Sequence, residues 1–222
     1  MGKLYLVRHG QASFGAADYD QLSPLGQRQC ERLGAYLGQR GQRFEAVYTG
    51  TLKRHRQSLA GLATGLVGLP ETQVLPGLNE YDSEAVVRAI HPGELNHPQT
   101  PEAVRQHFRL LREGLLSWMA GCSAPAGMPS HADFVAGVAD ALAQARAHAD
   151  GDVLIVSSGG PISAAVGLVL GLAPQAVVDL NMRIRNSAIT EFHASPKRHA
   201  LQTFNTLPHL DAPELASWVT YA

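Results

Sequence analysis

Two short apolar runs in this chain stop abruptly at polar residues. Residues 153–156 read Val-Leu-Ile-Val, and residues 4–7 read Leu-Tyr-Leu-Val and are followed at once by Arg8, His9 and Gly10. Apolar residues at every position of so short a run are typical of a strand whose two faces are both buried. Strands of this kind need helices over both faces of their sheet, which favours an α/β fold with a mostly parallel sheet.

Helical patterns alternate with these runs. Ser23 and Pro24 mark one helix start, because a serine side chain can cap free backbone N–H groups and proline fits the first helical position. The apolar spacing predicts helices over 24–39, 52–66, 101–119, 131–149 and 159–170. It predicts strands over 3–8, 44–48, 72–75, 152–157, 187–194 and 200–206, with a turn at 195–197. The chain after Pro208 carries no clear pattern.

These elements predict a single domain over residues 1–222, built as a mostly parallel sheet flanked by helices on both faces. Residues 81–130 differ from the rest of the chain. They hold several histidines and prolines, one helical stretch, and a linker rich in proline, glycine and serine at 123–130. We interpret 81–130 as a helical cap insertion over a site at the carboxyl ends of the strands.

The composition argues against several classes of partner. The 222 residues carry a formal net charge of −1, whereas nucleic-acid-binding proteins usually have a basic face and a high pI. No stretch is long and apolar enough to cross a membrane, and the N-terminus lacks the pattern of a signal peptide. Cys30 and Cys122 form no Cys-x-x-Cys pair and give no sign of a metal site. We therefore expect a cytoplasmic protein with neither a nucleic-acid nor a membrane partner.

Residue types that handle phosphate follow several of the predicted strands. Arg8 and His9 follow the first strand, Arg54 lies shortly after the second, Glu80 follows the third, and Gly159 opens the helix after residues 152–157. Arginine binds phosphate oxygens through its planar fork, a neutral imidazole can attack phosphorus, and a carboxylic acid can protonate a leaving oxygen. A helix N-terminus adds N–H donors for an anion. Since carboxyl ends of parallel strands share one edge of the sheet, we expect these groups to converge.

The chain resembles the histidine phosphatase superfamily, also called phosphoglycerate-mutase-like. The resemblance rests on segments in the family's order: residues 4–10, 22–26 with Gln29, 47–58, 78–80, 153–160 and 186–190. It implies a three-layer α/β fold with a helical cap. It also implies hydrolysis of a phosphorylated small molecule by a phosphomonoesterase, through a phosphohistidine, with no metal and no cofactor.

The resemblance also implies a role for each matching residue. His9 would be phosphorylated, and Glu80 would be the proton donor. Arg8 and Arg54 would clamp the phosphoryl oxygens, with Ser158 and Gly159 completing the phosphate-binding site. Gln11 and Ser13 lie in the loop after the nucleophile and are candidates for substrate contacts.

One position departs from the family pattern. Ser158 stands where the family carries a second histidine that contacts the phosphoryl group. A serine hydroxyl donates a hydrogen bond but brings no positive charge, which implies slower or more specialised catalysis. Three interpretations stay open: a slow or narrow enzyme, a different histidine (His55 or one from 91–131) taking over the role, or lost catalysis with retained phosphate binding.

Other functions are weaker matches. A phosphoglycerate mutase would read Glu-Arg-His-Tyr-Gly after the acid, whereas Glu80 is followed here by Tyr81, Asp82 and Ser83. His91, Glu94 and His97 are close in sequence, but their spacing fits no helix-borne metal motif. A catalytically silent protein that binds phosphorylated ligands is the main alternative to the hydrolase. The sequence leaves open whether the chain forms a homodimer.

Overall fold

The computed structural model describes residues 2–13, 20–93, 100–148, 150–195 and 199–221. Its strands are β1 (Lys3–Arg8), β2 (Ala46–Thr49), β3 (Thr72–Val74), β4 (Val153–Ser157), β5 (Ile189–Ala194) and β6 (His199–Thr206). Its α-helices are α1 (Pro24–Gln39), α2 (Lys53–Ala63), α3 (Ser83–Arg88), α4 (Pro101–Met119), α5 (His131–Arg146), α6 (Gly159–Leu170) and α7 (Pro174–Asn181). Short 3₁₀ helices cover Pro76–Leu78, Pro208–Leu210 and Pro213–Trp218.

The strands of the described residues form one sheet in the order β3-β2-β4-β1-β5-β6. The four strands from β3 to β1 are parallel, while β5 pairs antiparallel with β1 and β6 pairs antiparallel with β5. The sheet is therefore mostly parallel with an antiparallel pair at one edge. This confirms the fold class predicted from the sequence.

Both faces of the central strands are buried against helices. On one face, Leu4, Leu6 and Ile155 pack in a cluster with residues of α5 and α6. On the other face, Tyr5 and Leu154 pack in a cluster with residues of α1 and α2. The residues of β4 are all buried, as their unbroken apolar pattern predicts.

Helix boundaries follow the local signals where those signals are strong. Ser23 caps α1, since its hydroxyl oxygen accepts a hydrogen bond from the backbone N–H of Gly26 at 3.0 Å. Helix α4 covers the predicted 101–119, and α6 ends at Gly171, whose φ of 63° only glycine adopts readily. By contrast, β2 begins two residues later than predicted, α2 ends at Ala63 rather than 66, and α5 ends at Arg146 rather than 149.

The sequence did not predict two short helices, α3 and α7. Helix α3 has six residues and α7 has eight, which is too short for a clear helical period. The short 3₁₀ helices after Leu207 lie where no pattern was assigned, and the predicted turn at 195–197 falls mostly outside the described residues.

Helices α3 and α4, both within 81–130, pack against α7 rather than against the central sheet. Val86, Val87, Leu115 and Trp118 form a buried apolar cluster with Val178 of α7. No helix in the described ranges is long and apolar enough to span a membrane.

The carboxyl ends of β1 and β4 lie side by side at the centre of the sheet, with Arg8 paired to Ser157. The chain leaves β1 into α1 on one face and leaves β4 into α6 on the other face. In open α/β sheets, ligands bind in the crevice at such a switch point. His9 and Ser158 directly follow these two strand ends.

Candidate active site

His9 is held at the end of β1 by its own backbone. Its N–H donates to the carbonyl of Ser157 at 2.9 Å, and its carbonyl accepts from the N–H of Ser187 at 3.1 Å. The ring is buried, and its Nδ1 lies 2.7 Å from the carbonyl oxygen of Gly10. A carbonyl can only accept, so Nδ1 carries the proton and Nε2 keeps its lone pair.

The surroundings of His9 keep the ring neutral. Burial lowers the pKa of His9 well below its ordinary value, and the nearby positive charges of Arg8 and Arg54 and the neighbouring His55 lower it further. The hydrogen bond to Gly10 opposes this shift but does not reverse it. A neutral, correctly tautomeric imidazole is the form that can act as a nucleophile.

The two arginines predicted for the site both lie near His9, and each is anchored. Nη1 of Arg8 donates to the carbonyl of Ile184, and to that of Tyr221 at 2.6 Å. Nη1 of Arg54 donates to Oδ1 of Asp20 at 2.8 Å. The fixed positions of the two guanidinium groups supply positive charge beside His9 without reorganisation.

Glu80 joins the same cluster from the loop after the 3₁₀ helix Pro76–Leu78. Its Oε1 accepts from the backbone N–H of Gly160 at 3.0 Å. Burial raises the pKa of Glu80, and the hydrogen bond from Gly160 and the charges of Arg54 and Arg8 only partly offset that rise. A carboxyl with a raised pKa retains its proton to higher pH and can serve as a general acid.

One N–H group of the α6 N-terminus has a partner within the protein. The sequence predicted that Gly159 and Gly160 would offer free N–H groups to an anion. In the structure, the N–H of Gly160 donates to the carboxyl of Glu80. The helix N-terminus therefore positions Glu80 through this hydrogen bond, which favours the ionised form and only partly offsets the rise in pKa that burial causes.

Ser158 is fully buried and is hydrogen-bonded to a residue that the sequence singled out only as an alternative. Its Oγ lies 2.6 Å from Nε2 of His55, which comes from the first turn of α2. The rings of His55 and His9 have centroids 5.8 Å apart. His55 therefore lies in the site already and need not move to reach it.

Gln11 and Ser13 are tied to the segment that leads into α1. Oε1 of Gln11 accepts from the hydroxyl of Ser23 at 2.8 Å, and the backbone N–H of Ser13 donates to the carbonyl of Gln21 at 2.8 Å. Their side chains follow His9 along the loop, as the sequence indicates, but the amide oxygen of Gln11 has a structural partner.

The loop after His9 packs directly on α1. A Cβ on Gly10 would lie 2.3 Å from the carbonyl oxygen of Gly26, and a Cβ on Gly26 would lie 2.1 Å from the carbonyl oxygen of Gln11. Backbone meets backbone here, so both positions require glycine. Ser58 fixes the same loop from α2, since its Oγ accepts from the N–H of Gly10 at 3.0 Å.

Three residues that support the site carry no role in the sequence interpretation. Asp20 holds Arg54 and also caps α2, with Oδ2 accepting from the N–H of Lys53 at 2.8 Å. Ser58 holds Gly10, and the carbonyl of Tyr221 holds Arg8. Ser58 lies in the segment 47–58 that matches the family, and this match could have identified it. Asp20 and Tyr221 lie in no matching segment.

In the described part of the chain, no group of three or more His, Cys, Asp or Glu residues is arranged to hold a metal ion. His91 lies within that part, but Glu94 and His97 of the weak sequence pattern lie outside it.

Comparison with known proteins identifies a family. A model of the histidine phosphatase superfamily (branch 1) matches residues 4–207. A broad-specificity phosphatase of Saccharomyces cerevisiae is 36% identical over 64 residues, which cover 26% of this chain and only 28% of the yeast protein.

Solved structures share the fold. Phosphoserine phosphatase of Entamoeba histolytica, in complex with 3-phosphoglyceric acid, is 22% identical with a TM-score of 0.64, covering 95% of this chain and 100% of that one. The α-ribazole phosphatase of Shigella flexneri is 19% identical with a TM-score of 0.64, covering 92% and 96%. A mycobacterial glucosyl-3-phosphoglycerate phosphatase is 24% identical with a TM-score of 0.65, covering 93% and 100%. At these identities, the likeness establishes a common fold.

Proposed function

The chain belongs to the histidine phosphatase superfamily, and on that premise we propose that it hydrolyses phosphate monoesters through a phosphohistidine formed on His9. One observation carries the proposal. The buried His9 ring is neutral, with Nδ1 bound to the carbonyl of Gly10, and it lies among Arg8, Arg54 and a carboxyl group whose pKa is raised.

The first half-reaction transfers the phosphoryl group to the enzyme. Nε2 of His9 attacks phosphorus, and the bond between phosphorus and the ester oxygen breaks. The leaving oxygen takes the proton of the Glu80 carboxyl and departs as an alcohol. Arg8 and Arg54 offset the negative charge of the phosphoryl oxygens, and Ser158 and Gly159 complete the binding site at the end of β4.

The second half-reaction regenerates the enzyme. The Glu80 carboxylate accepts a proton from a water molecule, whose oxygen attacks phosphorus as the bond to Nε2 breaks. Inorganic phosphate leaves, and His9 returns to its neutral form with Nδ1 still bound to Gly10. The reaction needs no metal or other cofactor.

Residues 81–130 form, in this proposal, the cap that selects the substrate within a single domain. Tyr81 directly follows Glu80, and its hydroxyl accepts from Nδ2 of Asn181 at 2.6 Å. A small cleft beside Gly160 is lined by Tyr81, Trp118 and other side chains of α4 to α7. The proposed substrate is a phosphorylated small molecule whose leaving group contacts this region.

Hydrolysis of an aryl phosphate, with EDTA present, tests the proposal. We expect turnover by the wild type and none by His9→Ala, because no other group replaces the nucleophile. Rapid alkaline quenching of wild type mixed with ³²P-labelled substrate should trap label on His9, since phosphohistidine is stable to alkali. His193→Ala is the matched control, because it removes an exposed histidine on β5.

Three outcomes would contradict the proposal. Turnover that persists in His9→Ala excludes His9 as the nucleophile. A wild type that binds phosphate but hydrolyses neither aryl nor alkyl phosphates is the catalytically silent binding protein. Conversion of one phosphoglycerate isomer to the other, with little release of phosphate, would instead identify a mutase.

A further inference from the structure

The strongest unexplained feature of the site is the buried pair of His55 and Ser158. The two residues lie 103 positions apart in the sequence, yet Nε2 and Oγ approach to 2.6 Å. Both side chains are completely buried. A polar pair withdrawn this far from water costs stability unless its hydrogen bonds are satisfied, and here one atom is not.

That atom is Nδ1 of His55, which has no hydrogen-bond partner among the residues that the structure describes. It faces the backbone of Gly50, since a Cβ on Gly50 would lie 2.4 Å from Nδ1 and 2.5 Å from Oδ1 of Asn79. The lack of a side chain at Gly50 makes room for the ring. The fold therefore accommodates an incompletely satisfied histidine in one orientation, with Nε2 directed at Ser158.

Several hydrogen-bond donors near His9 are already bound to other groups of the protein, so a further donor to a phosphoryl oxygen would be useful. Nη1 of Arg54 is bound to Asp20, and Nη1 of Arg8 is bound to main-chain carbonyls. The N–H of Gly160 is bound to Glu80. A phosphoryl group on His9 carries several oxygens that can accept hydrogen bonds. Ser158 is close to it in the chain path, because Ser158 follows Ser157, whose carbonyl accepts a hydrogen bond from the backbone N–H of His9.

We propose that His55 and Ser158 act as one hydrogen-bonded unit that donates to a phosphoryl oxygen, with His55 as the positioning residue and Ser158 in contact with the substrate. The hydrogen bond between them can run in either direction. When Nε2–H donates to Oγ, the hydroxyl hydrogen of Ser158 is left for a phosphoryl oxygen. This inference rests on the proposed phosphoryl-transfer function.

The role of His55 is electrostatic as well as geometric. Burial, and then the charge of Arg54, lower the pKa of His55 to about 3, so the ring is neutral. Among the described residues, Arg54 and His9 are the charged or titratable groups that interact with it. A bound phosphoryl group supplies negative charge that strengthens donation from Nε2–H through Ser158.

Binding of orthovanadate, measured by calorimetry, tests the unit independently of turnover. We expect His55→Ala and Ser158→Ala each to weaken vanadate binding about tenfold, because Ser158→Ala removes the donor and His55→Ala leaves the Ser158 hydroxyl without the partner that orients it. The double variant should bind no more weakly than either single variant, since the two residues act together. His55→Gln should retain most of the affinity, because its side-chain amide can still donate to Oγ.

A transplanted ring gives a gain-of-function test. The double variant His55→Ala/Ser158→His removes the ring beside residue 158 and places an imidazole there directly. The ring that Oγ of Ser158 contacts is absent from this variant. We expect vanadate affinity to return toward that of the wild type.

His209→Ala is the matched control. His209 is likewise buried, and its Nε2 lies 2.9 Å from Oγ of Ser187. Its Nδ1 has no partner within the described ranges. The loss of the His209 side chain should lower the melting temperature and leave vanadate affinity unchanged, because the backbone N–H of Ser187 still donates to the carbonyl of His9. Melting temperatures of all the variants confirm that each is folded before its affinity is compared.

The outcomes separate this inference from the proposed function. The unit would be overturned if the losses of affinity in His55→Ala and Ser158→Ala add in the double variant. It would also be overturned if His55→Ala binds vanadate as tightly as the wild type. Neither result would affect the proposal of His9-dependent hydrolysis. Non-additive losses without any turnover would support the unit and overturn the hydrolase. A wild type that does not bind vanadate would contradict both.

Discussion

Burial shifts the pKa values of two residues at this site, His9 and Glu80, in opposite directions. Burial disfavours charge, so it lowers the pKa of His9 and raises the pKa of Glu80. The same enclosure therefore favours the neutral form of both the nucleophile and the acid. That combination is what a phosphohistidine mechanism needs in its first step.

The acid predicts a pH dependence. The raised pKa of Glu80 lies above its ordinary value of 4.5, and the protonated fraction falls as the pH rises through it. We expect wild-type kcat to fall on that alkaline side, while His9 stays neutral over the same range. In Glu80→Gln, kcat should drop by about 10²–10⁴ and the alkaline fall should disappear.

Steady-state pH profiles with two substrates check this prediction. An alkyl phosphate should lose more activity than an aryl phosphate, because its leaving oxygen needs the proton more. Glu84→Gln is the control, since Glu84 is an exposed acid on α3 paired with Arg88. An alkaline limb that survives in Glu80→Gln would assign the proton to another group.

At the scale of elements, helix caps link secondary structure to the site. Ser23 caps α1 and also donates to the Gln11 side chain, which follows His9 in the loop. Ser130 caps α5 in the same way, accepting from the N–H of Asp133 at 3.1 Å, with no link to that loop. The two caps are chemically matched, but only one of them touches the loop after the nucleophile.

The two capping residues, Ser23 and Ser130, yield a prediction that separates stability from function. Ser23→Ala and Ser130→Ala should each lower the free energy of unfolding by about 1 kcal/mol, because each leaves a helix N–H without its cap. Only Ser23→Ala should raise KM, since it also releases the amide of Gln11. Urea titrations measure the loss of stability in both variants, and steady-state kinetics measure KM. An equal KM in the two variants would show that Gln11 takes no part in substrate binding.

Local sequence patterns predicted some elements well and missed others. Strand β1 and helix α4 have the predicted bounds, because an unbroken apolar run and a long period of 3.6 residues are strong local signals. Helices α3 and α7 were not predicted, because they are short and owe their burial to contacts with α4.

At the scale of the whole molecule, buried neutral histidines couple stability to pH. Burial lowers the pKa of both His55 and His209 to about 3, against 6.5 in the unfolded chain. Below pH 6.5 the unfolded state binds protons that the folded state excludes. The stabilising contribution is complete above 6.5, decreases as the pH falls, and is gone near pH 3.

Unfolding free energies measured between pH 7.5 and 4 test this coupling. We expect stability to fall with a slope of up to about 1.4 kcal/mol per pH unit for each histidine. His209→Gln should flatten the slope by one such contribution, whereas His193→Gln, an exposed position, should leave it unchanged. A wild type whose stability does not change over this range would show that neither histidine stays neutral in the folded state.

The sequence by itself determined the fold class, the order of the main elements and the set of residues at the strand ends. Each of these depends on local patterns, such as the apolar run of β4, the cap at Ser23 and the residues after β1. Only the tertiary structure decided the partners: Asp20 for Arg54, the carbonyl of Tyr221 for Arg8, and His55 for Ser158. These partners lie far apart along the chain, and which side chains meet depends on the packing of α2 and the C-terminal segment around the sheet, which no local period encodes.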